Sequence, residues 1–136
     1  MNLDMPVSEM MTRSVVSVKP TQRLADVKDL FHQGRFHYNI PVIENNELKG
    51  MVVLTDFLFA IRNEPAIREE NDYSDLLIKD IMREKVVVMP PSTTVREVAR
   101  MFSDGELHTL MIAEKGQLKG IVSVADIIRW LIQDQK

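Results

Sequence analysis

The sequence predicts a mixed α/β fold of the α+β class, in which a motif of order β-α-β-β-α occurs twice. The first observation is an internal repeat, because residues 48–56 (LKGMVVLTD) align with residues 118–126 (LKGIVSVAD), 70 positions later. Upstream the alignment continues at a spacing of 71, which matches Pro20 with Pro91. The second observation is that short β-branched runs alternate with apolar stripes of helical spacing. The two halves are expected to pack as a pseudo-twofold pair, because about 65 residues alone bury too small a core.

In the first half, each element is bounded by a residue that starts or stops it. The β-branched run Val15–Val18 precedes a proline and predicts a strand. Thr21 is the predicted N-cap of a helix whose apolar residues recur every three or four positions up to Gly34. Pro41 lies inside the next apolar run and predicts an edge or a bulge there. The remaining predicted elements are a strand over residues 38–43, a returning strand over residues 48–54 and a helix that begins near Thr55.

The second half repeats this order after a polar, acidic linker. Thr94 and Glu97 have the spacing of a capping box and predict the start of its first long helix. The other predicted elements are a helical turn over residues 77–82, strands over residues 86–88, 108–113 and 117–122, and a last helix over residues 123–133. We therefore predict a first domain over residues 1–62, a linker over residues 63–76 and a second domain over residues 77–136.

Composition argues against several classes of function. The net charge of −3 gives no basic surface of the kind that nucleic acids need. The sequence has no run of about 18 apolar residues, and its first residues lack the pattern of a signal peptide. It contains no cysteine, which fits a reducing compartment. We expect a soluble, cytoplasmic protein that binds neither nucleic acid nor a membrane.

One repeated stretch carries the candidate chemistry. Ser123 stands where the last helix should begin, and Asp126 follows within its first turn. Free N–H groups at a helix start, together with a hydroxyl and a carboxylate, favour an anionic or hydroxyl-rich ligand. The same spacing is typical of a capping box, in which the two side chains satisfy the helix itself. The recurrence of the stretch favours a ligand site, and both interpretations stay open at this point.

The ordered set of motifs resembles a tandem pair of CBS domains, an arrangement often called a Bateman module. The resemblance rests on residues 7–12, 15–20, 40–43 and 50–56 in the first half and on residues 78–82, 86–91, 110–112 and 120–126 in the second. It implies a disc with two clefts between the halves, and frequent dimerisation into a larger disc. It also implies a regulatory module that binds an adenosine ligand such as AMP, ADP, ATP or S-adenosylmethionine, occasionally a dinucleotide, and requires no other cofactor.

By the same resemblance, the binding motif is a glycine, two hydrophobic residues, Ser or Thr, two further residues and Asp. The Asp would hold the ribose hydroxyls, the Ser or Thr with the helix start would meet phosphate, and backbone groups would frame the adenine. The second half keeps the full motif, so the stronger expected site comprises Val86, Val87, His108, Thr109, Met111, Gly120, Ser123 and Asp126. The first half has Val53 in place of the hydroxyl, with Thr55 as an alternative cap. Its weaker or empty site comprises Val16, Tyr38, Asn39, Pro41, Gly50, Thr55 and Asp56.

The residue types favour binding over catalysis. No nucleophile has a placed base and no phosphate-binding glycine loop occurs, so an enzyme is not expected. The scattered histidines predict no metal site. A phosphate contact could come from any of six basic residues, which are Arg62, Arg68, Lys79, Arg83, Lys85 and Arg129. Two hypotheses compete. The first is a non-catalytic sensor of an adenosine ligand, and the second is a structural or protein-interaction module in which the repeated motif only caps helices.

Both second helices carry more apolar residues than one face can bury. The runs Phe57–Ile61 and Ile127–Ile132 therefore predict a homodimer that forms through these helices. A sensor also needs an effector, which the sequence does not identify, so the expected partner is a separate effector protein.

Overall fold

A computed structural model describes residues 2–31, 39–63 and 76–133. The chain forms two compact units. The first-repeat unit comprises Val16–Val86, and the second-repeat unit comprises Met1–Val15 together with Val87–Lys136. Within the described residues, no helix is long and apolar enough to span a lipid bilayer.

The second-repeat unit is built on a three-stranded sheet with the strand order β3-β4-β5. Strands β3 and β4 are parallel, whereas β4 and β5 form an antiparallel hairpin. The elements of this unit are a 3-10 turn Val7–Glu9, β3 Val88–Met89, α4 Val95–Phe102, β4 Thr109–Glu114, β5 Gln117–Ser123 and α5 Val124–Gln133. Its core is formed by buried residues of all these helices and of the hairpin, among them Val98, Leu110, Val122 and Ile127.

The N-terminal segment belongs to the core of this unit, although in sequence it begins the first repeat. Val7 is fully buried and Met11 is nearly so, and both pack in the same cluster as Val98 and Leu110. The backbone of Thr12 pairs with that of Ile121 through two hydrogen bonds of 2.9 Å each. The segment therefore lies alongside β5 as an additional short partner.

The first-repeat unit likewise has a helix, a β-hairpin and a second helix in this order, but its described residues contain no strand before the first helix, and its short helical segment comes last in sequence. Its elements are α1 Leu24–Val27, a 3-10 turn Lys28–Phe31, β1 Asn39–Glu44, β2 Glu47–Val53, α2 Leu54–Asn63 and α3 Ile78–Ile81. Strands β1 and β2 form an antiparallel hairpin, and Val18 adds an isolated parallel bridge to Val42. The core contains Leu24, Ile40 and Ile78, all of them buried.

The α3 segment mirrors the N-terminal segment. Ile78 aligns with Val7 in the repeat and is equally buried, but it packs in the first-repeat core. Arg83 pairs with Met51 through backbone hydrogen bonds of 2.8 and 2.9 Å. Each repeat therefore supplies its leading segment to the unit of the other repeat, and the compact units divide the chain differently from the repeat-based boundaries at residues 62 and 77.

The predicted mixed fold with a duplicated motif is confirmed, and the differences lie in short elements. The predicted strand over residues 15–18 is wrong except at Val18, because residues 15–17 form no ladder. Arg23 rather than Thr21 is the N-cap of α1, and the first strand of the second half is Val88–Met89 rather than residues 86–88. The predicted helix end at Gly34 lies outside the described residues, and so does Tyr38.

Both hairpins have the predicted polar turns. Asn45, Asn46, Lys115 and Gly116 have positive φ angles, as a tight two-residue hairpin turn requires. The β-bulge predicted from Pro41 occurs next to it, between Val42 and Ile43. An equivalent bulge occurs in β4 without a proline, so proline is compatible with the bulge and does not cause it.

Candidate ligand-binding site

Six of the eight predicted residues of the stronger site lie at one edge of the second-repeat sheet, whereas Met111 and Gly120 lie inside strands β4 and β5. Thr109, the first residue of β4, lies directly opposite Ser123, the last residue of β5. Because β3 runs parallel to β4, Val87 precedes β3 at this same edge, and the residue is 53% exposed. The N–H of Val124 donates to the His108 carbonyl oxygen at 3.0 Å, which fixes the start of α5 to the start of β4.

The Ser123 and Asp126 side chains form the reciprocal bonds of a capping box. The Ser123 N–H donates to Asp126 Oδ2 at 2.8 Å, and the Asp126 N–H donates to Ser123 Oγ at 3.1 Å. Arg129, one turn further along α5, donates from Nη2 to Asp126 Oδ1. These bonds fix the carboxylate in one orientation, and its side chain is only 17% exposed.

This capping box does not use the whole hydrogen-bonding capacity of the two side chains. The Ser123 hydroxyl accepts a bond and still has a proton to donate, and each carboxylate oxygen can accept more than one bond. A capped helix start is therefore compatible with a ligand that donates hydroxyls to Asp126. The capping interpretation of the sequence is confirmed. The capping box orients the Asp126 carboxylate and leaves it able to accept further hydrogen bonds.

The first-repeat unit places a different set of groups at the equivalent edge. Asn39 lies opposite Val53, where the second repeat has two hydroxyls. Asp56 lies in the first turn of α2, and both of its oxygens accept bonds from Arg83, at 2.8 Å from Nε and 3.2 Å from Nη2. The prediction that Thr55 caps this helix is wrong, because α2 already begins at Leu54.

The ion pair with Asp56 has a clear electrostatic consequence. The carboxylate raises the pKa of the Arg83 guanidinium above its usual range, first through their hydrogen bonds and then through its charge. The guanidinium is therefore positively charged at every pH at which the protein is folded. Arg83 is exposed, so solvent screens the pair and its contribution to stability is small.

The two motif glycines have a packing role that does not involve a ligand. A Cβ atom on Gly50 would lie 2.5 Å from the Arg83 carbonyl oxygen. A Cβ atom on Gly120 would lie 2.6 Å from Met11 Sδ and 2.8 Å from the Thr12 carbonyl oxygen. Both positions must be glycine because the leading segment of the other repeat crosses directly over them.

The remaining predicted site residues occupy varied environments. Met111 is buried in the middle of β4, and Pro41 is buried at the equivalent place in β1, so these side chains support the edge from inside. Val16 is 37% exposed, and Val86 is partly buried just before β3. Tyr38 lies outside the described residues.

Among the basic candidates that the structure describes, Arg83 lies at Asp56 and Arg129 at Asp126, whereas Arg68 lies outside the described residues. The spacing of three residues between Asp126 and Arg129 is a local signal that could have selected this pair. Arg83 is 27 residues from Asp56, and no local pattern in the sequence connects them.

A protein-family model described as "CBS domain" matches the chain twice, over residues 7–63 and 78–133. The chain belongs to the CBS-domain family. The two CBS matches form a tandem pair that covers most of the 136 residues, as the resemblance implied.

Several proteins of known sequence or structure are similar to this chain. Uncharacterized protein MJ0188 of Methanocaldococcus jannaschii is 31% identical over 134 residues, which are 96% of this chain and 46% of that protein. The crystal structure of CBSX2 in complex with AMP has a TM-score of 0.79 at 25% identity and covers 97% of this chain and 99% of that one. The cytosolic domain of the Mg²⁺ channel MgtE in complex with ATP has a TM-score of 0.74 at 26% identity, over 93% of this chain and 49% of that one. This CBS pair thus spans about half the length of MJ0188 and of the MgtE domain.

Proposed function

We propose that this CBS pair is a non-catalytic regulatory module that binds an adenosine nucleotide at the Ser123–Asp126 edge of the second-repeat unit. The observation that carries the proposal is the orientation of Asp126, whose carboxylate is fixed by the Ser123 N–H at 2.8 Å and still has acceptor capacity. AMP in CBSX2 and ATP in the MgtE domain support an adenine nucleotide as the ligand class.

Each part of a nucleotide would meet a suitable group at this edge. The two ribose hydroxyls would donate to Asp126, and charge-assisted bonds of this kind contribute about 1.5–3 kcal/mol each. The Ser123 hydroxyl and the first N–H groups of α5 suit a phosphate. The exposed side chain of Val87 offers an apolar contact for the adenine.

The second candidate is a structural module without a nucleotide. The observation in its favour is that the capping box of α5 is complete without any ligand. N-capping alone stabilises a helix by about 0.5–2 kcal/mol, which is a sufficient reason for Ser123 and Asp126 to occur together.

Thermal unfolding with a ligand panel separates the two candidates. A ligand at about one hundred times its dissociation constant stabilises the folded state by about 2.7 kcal/mol, which raises the midpoint by several degrees. We expect this rise with at least one of AMP, ADP, ATP and S-adenosylmethionine, and a clearly smaller rise in Asp126→Asn. The exposed Asp104→Asn serves as the matched control and should keep the rise. A midpoint that no ligand moves would favour the structural module.

We also propose that the CBS pair forms a homodimer through α2 and α5. Leu58 and Phe59 of α2 and Ile128 and Ile132 of α5 are 51–67% exposed, a larger apolar surface than helices in solvent usually present. Sedimentation of the parent at tens of micromolar should show a dimer, and Ile128→Glu should shift it toward the monomer. Val87→Thr, an equally exposed valine outside both helices, should leave the dimer intact. A monomeric parent would contradict the proposal.

Regulation requires an output that differs between the free and the bound module. We therefore propose that a separate effector protein binds this CBS pair, and that its affinity depends on whether the nucleotide is bound. Pull-down from a lysate of the source organism with and without the stabilising nucleotide would test this, since a true effector should change its retention when the nucleotide is added.

A further inference from the structure

The carboxylate of the first-repeat unit is already engaged by a cation. Arg83 donates from Nε to Asp56 Oδ2 and from Nη2 to Asp56 Oδ1, so each oxygen faces one guanidinium N–H. This two-point geometry is the strongest arrangement that an arginine and a carboxylate form. At Asp126 the arrangement differs, because one oxygen is bonded to a backbone N–H and only the other meets an arginine.

The backbone position from which the Arg83 side chain extends is fixed by the fold. Two backbone hydrogen bonds to Met51 hold Arg83 against β2, three residues before α2 begins at Leu54. Gly50 permits this approach, since any side chain there would strike the Arg83 carbonyl oxygen. The equivalent position of the second-repeat unit makes the same backbone pair with Ile121 but carries Thr12. The leading segment therefore brings a positive charge to the first-repeat carboxylate and a neutral hydroxyl to the other unit.

A ribose that binds Asp56 must compete with this guanidinium. Its two hydroxyls would approach the carboxylate where the two-point bond from the single Arg83 guanidinium already lies, whereas the bonds to Asp126 come from two separate groups. The Arg83 and Asp56 side chains are 55% and 34% exposed, so the pair is screened by water and can exchange. When a ribose displaces Arg83 from Asp56, the guanidinium has no anionic partner unless the ligand supplies one.

We propose that Arg83 makes the first-repeat site selective for phosphate-bearing nucleotides, by moving from Asp56 to the ligand phosphate as the ribose takes the carboxylate. The inference rests on the proposed function, because it concerns the repeat counterpart of the Asp126 site. AMP, ADP and ATP supply the replacement anion. Adenosine supplies none, and the sulfonium of S-adenosylmethionine adds a positive charge beside Arg83.

The full chain carrying Asp126→Asn has a second-repeat site weakened by about tenfold or more, so titration calorimetry on this variant favours the signal of the first-repeat site. We expect AMP to bind at least roughly tenfold more tightly than adenosine in this background, since arginine–phosphate bonds are charge-assisted. Adding Arg83→Gln should weaken AMP and strengthen adenosine, so that the ratio of the two dissociation constants approaches one. Lys49→Gln makes the same charge change at an exposed residue of β2 that is not a candidate phosphate contact, and it should leave the ratio unchanged.

The outcomes separate this inference from the proposed function. An unchanged ratio in Arg83→Gln overturns the inference. A chain with Asp126→Asn that binds no AMP also overturns it, because phosphate would then fail to displace Arg83 from Asp56. If the parent chain binds no adenosine ligand at all, the proposed function itself fails.

Discussion

Truncation of Val7 to alanine is expected to destabilise the second-repeat unit, and truncation of Ile78 is expected to destabilise the first-repeat unit. The two residues align in the repeat and are both fully buried, but each packs in the core formed by the other repeat. Removal of the methyl groups leaves a cavity and costs about 2–5 kcal/mol for Ile78→Ala and somewhat less for Val7→Ala. Either value is a large share of the total stability of a small protein.

Amide hydrogen exchange shows which of the two units loses stability in each variant. Val7→Ala should reduce protection in β4 and β5, more than 100 residues along the chain, and should spare β1 and β2. Ile78→Ala should give the opposite pattern. Val16→Ala, at an exposed valine near the N-terminal segment, is the control and should change stability by less than about 0.5 kcal/mol. Loss of protection in the same strands for both variants would contradict the exchange of leading segments.

Substitution of either motif glycine by alanine is the second prediction with a large effect. In Gly50→Ala the new methyl group would lie 2.5 Å from a backbone oxygen, so the Arg83 segment must move away and its two hydrogen bonds to Met51 must lengthen. In Gly120→Ala the clash falls on Met11 and Thr12. Overpacking of this kind costs about 1–3 kcal/mol, and the midpoint of thermal unfolding should fall by several degrees.

A third glycine provides the control. Gly116 occupies a hairpin turn with φ of +80°, and its Cβ position is open. Asn46 occupies the equivalent turn position in the first repeat with φ of +65°. Gly116→Asn should therefore be nearly neutral, because asparagine tolerates this conformation better than other residues. If Gly50→Ala and Gly120→Ala were equally neutral, the close approach of the leading segments would be wrong.

The sequence was sufficient for the fold because the duplication made each weak signal occur twice. The hairpins, the second helices and the Thr94 cap follow from local patterns, and the structure confirms them. The capping bond from Glu97 N–H to Thr94 Oγ1 is an example, since its donor and acceptor are only three residues apart. Local chemistry of this kind is encoded within one turn of the chain.

The pairing of the first β-branched run, the Arg83–Asp56 ion pair and the packing of Gly50 could not be predicted, because they depend on contacts between residues distant in sequence. The run Val15–Val18 has strand composition, yet among the residues that the structure describes it pairs only through the bridge from Val18 to Val42, which tertiary packing decides. The ion pair between Arg83 and Asp56 arises because the α3 segment returns to β2. Gly50 was predicted as part of the binding motif, and its packing against Arg83 becomes visible only when that segment is in place.

Titration calorimetry of AMP and ATP against the parent chain, Asp126→Asn and Asp56→Asn tests the central claim most directly. The amide keeps the shape and one acceptor of Asp126 but removes the charge, so the cap can persist while the ribose contact weakens. We predict that one of the two nucleotides binds the parent, that Asp126→Asn weakens this binding by about tenfold or more, and that Asp56→Asn has a smaller effect. Binding to Asp126→Asn as tight as to the parent would contradict the account.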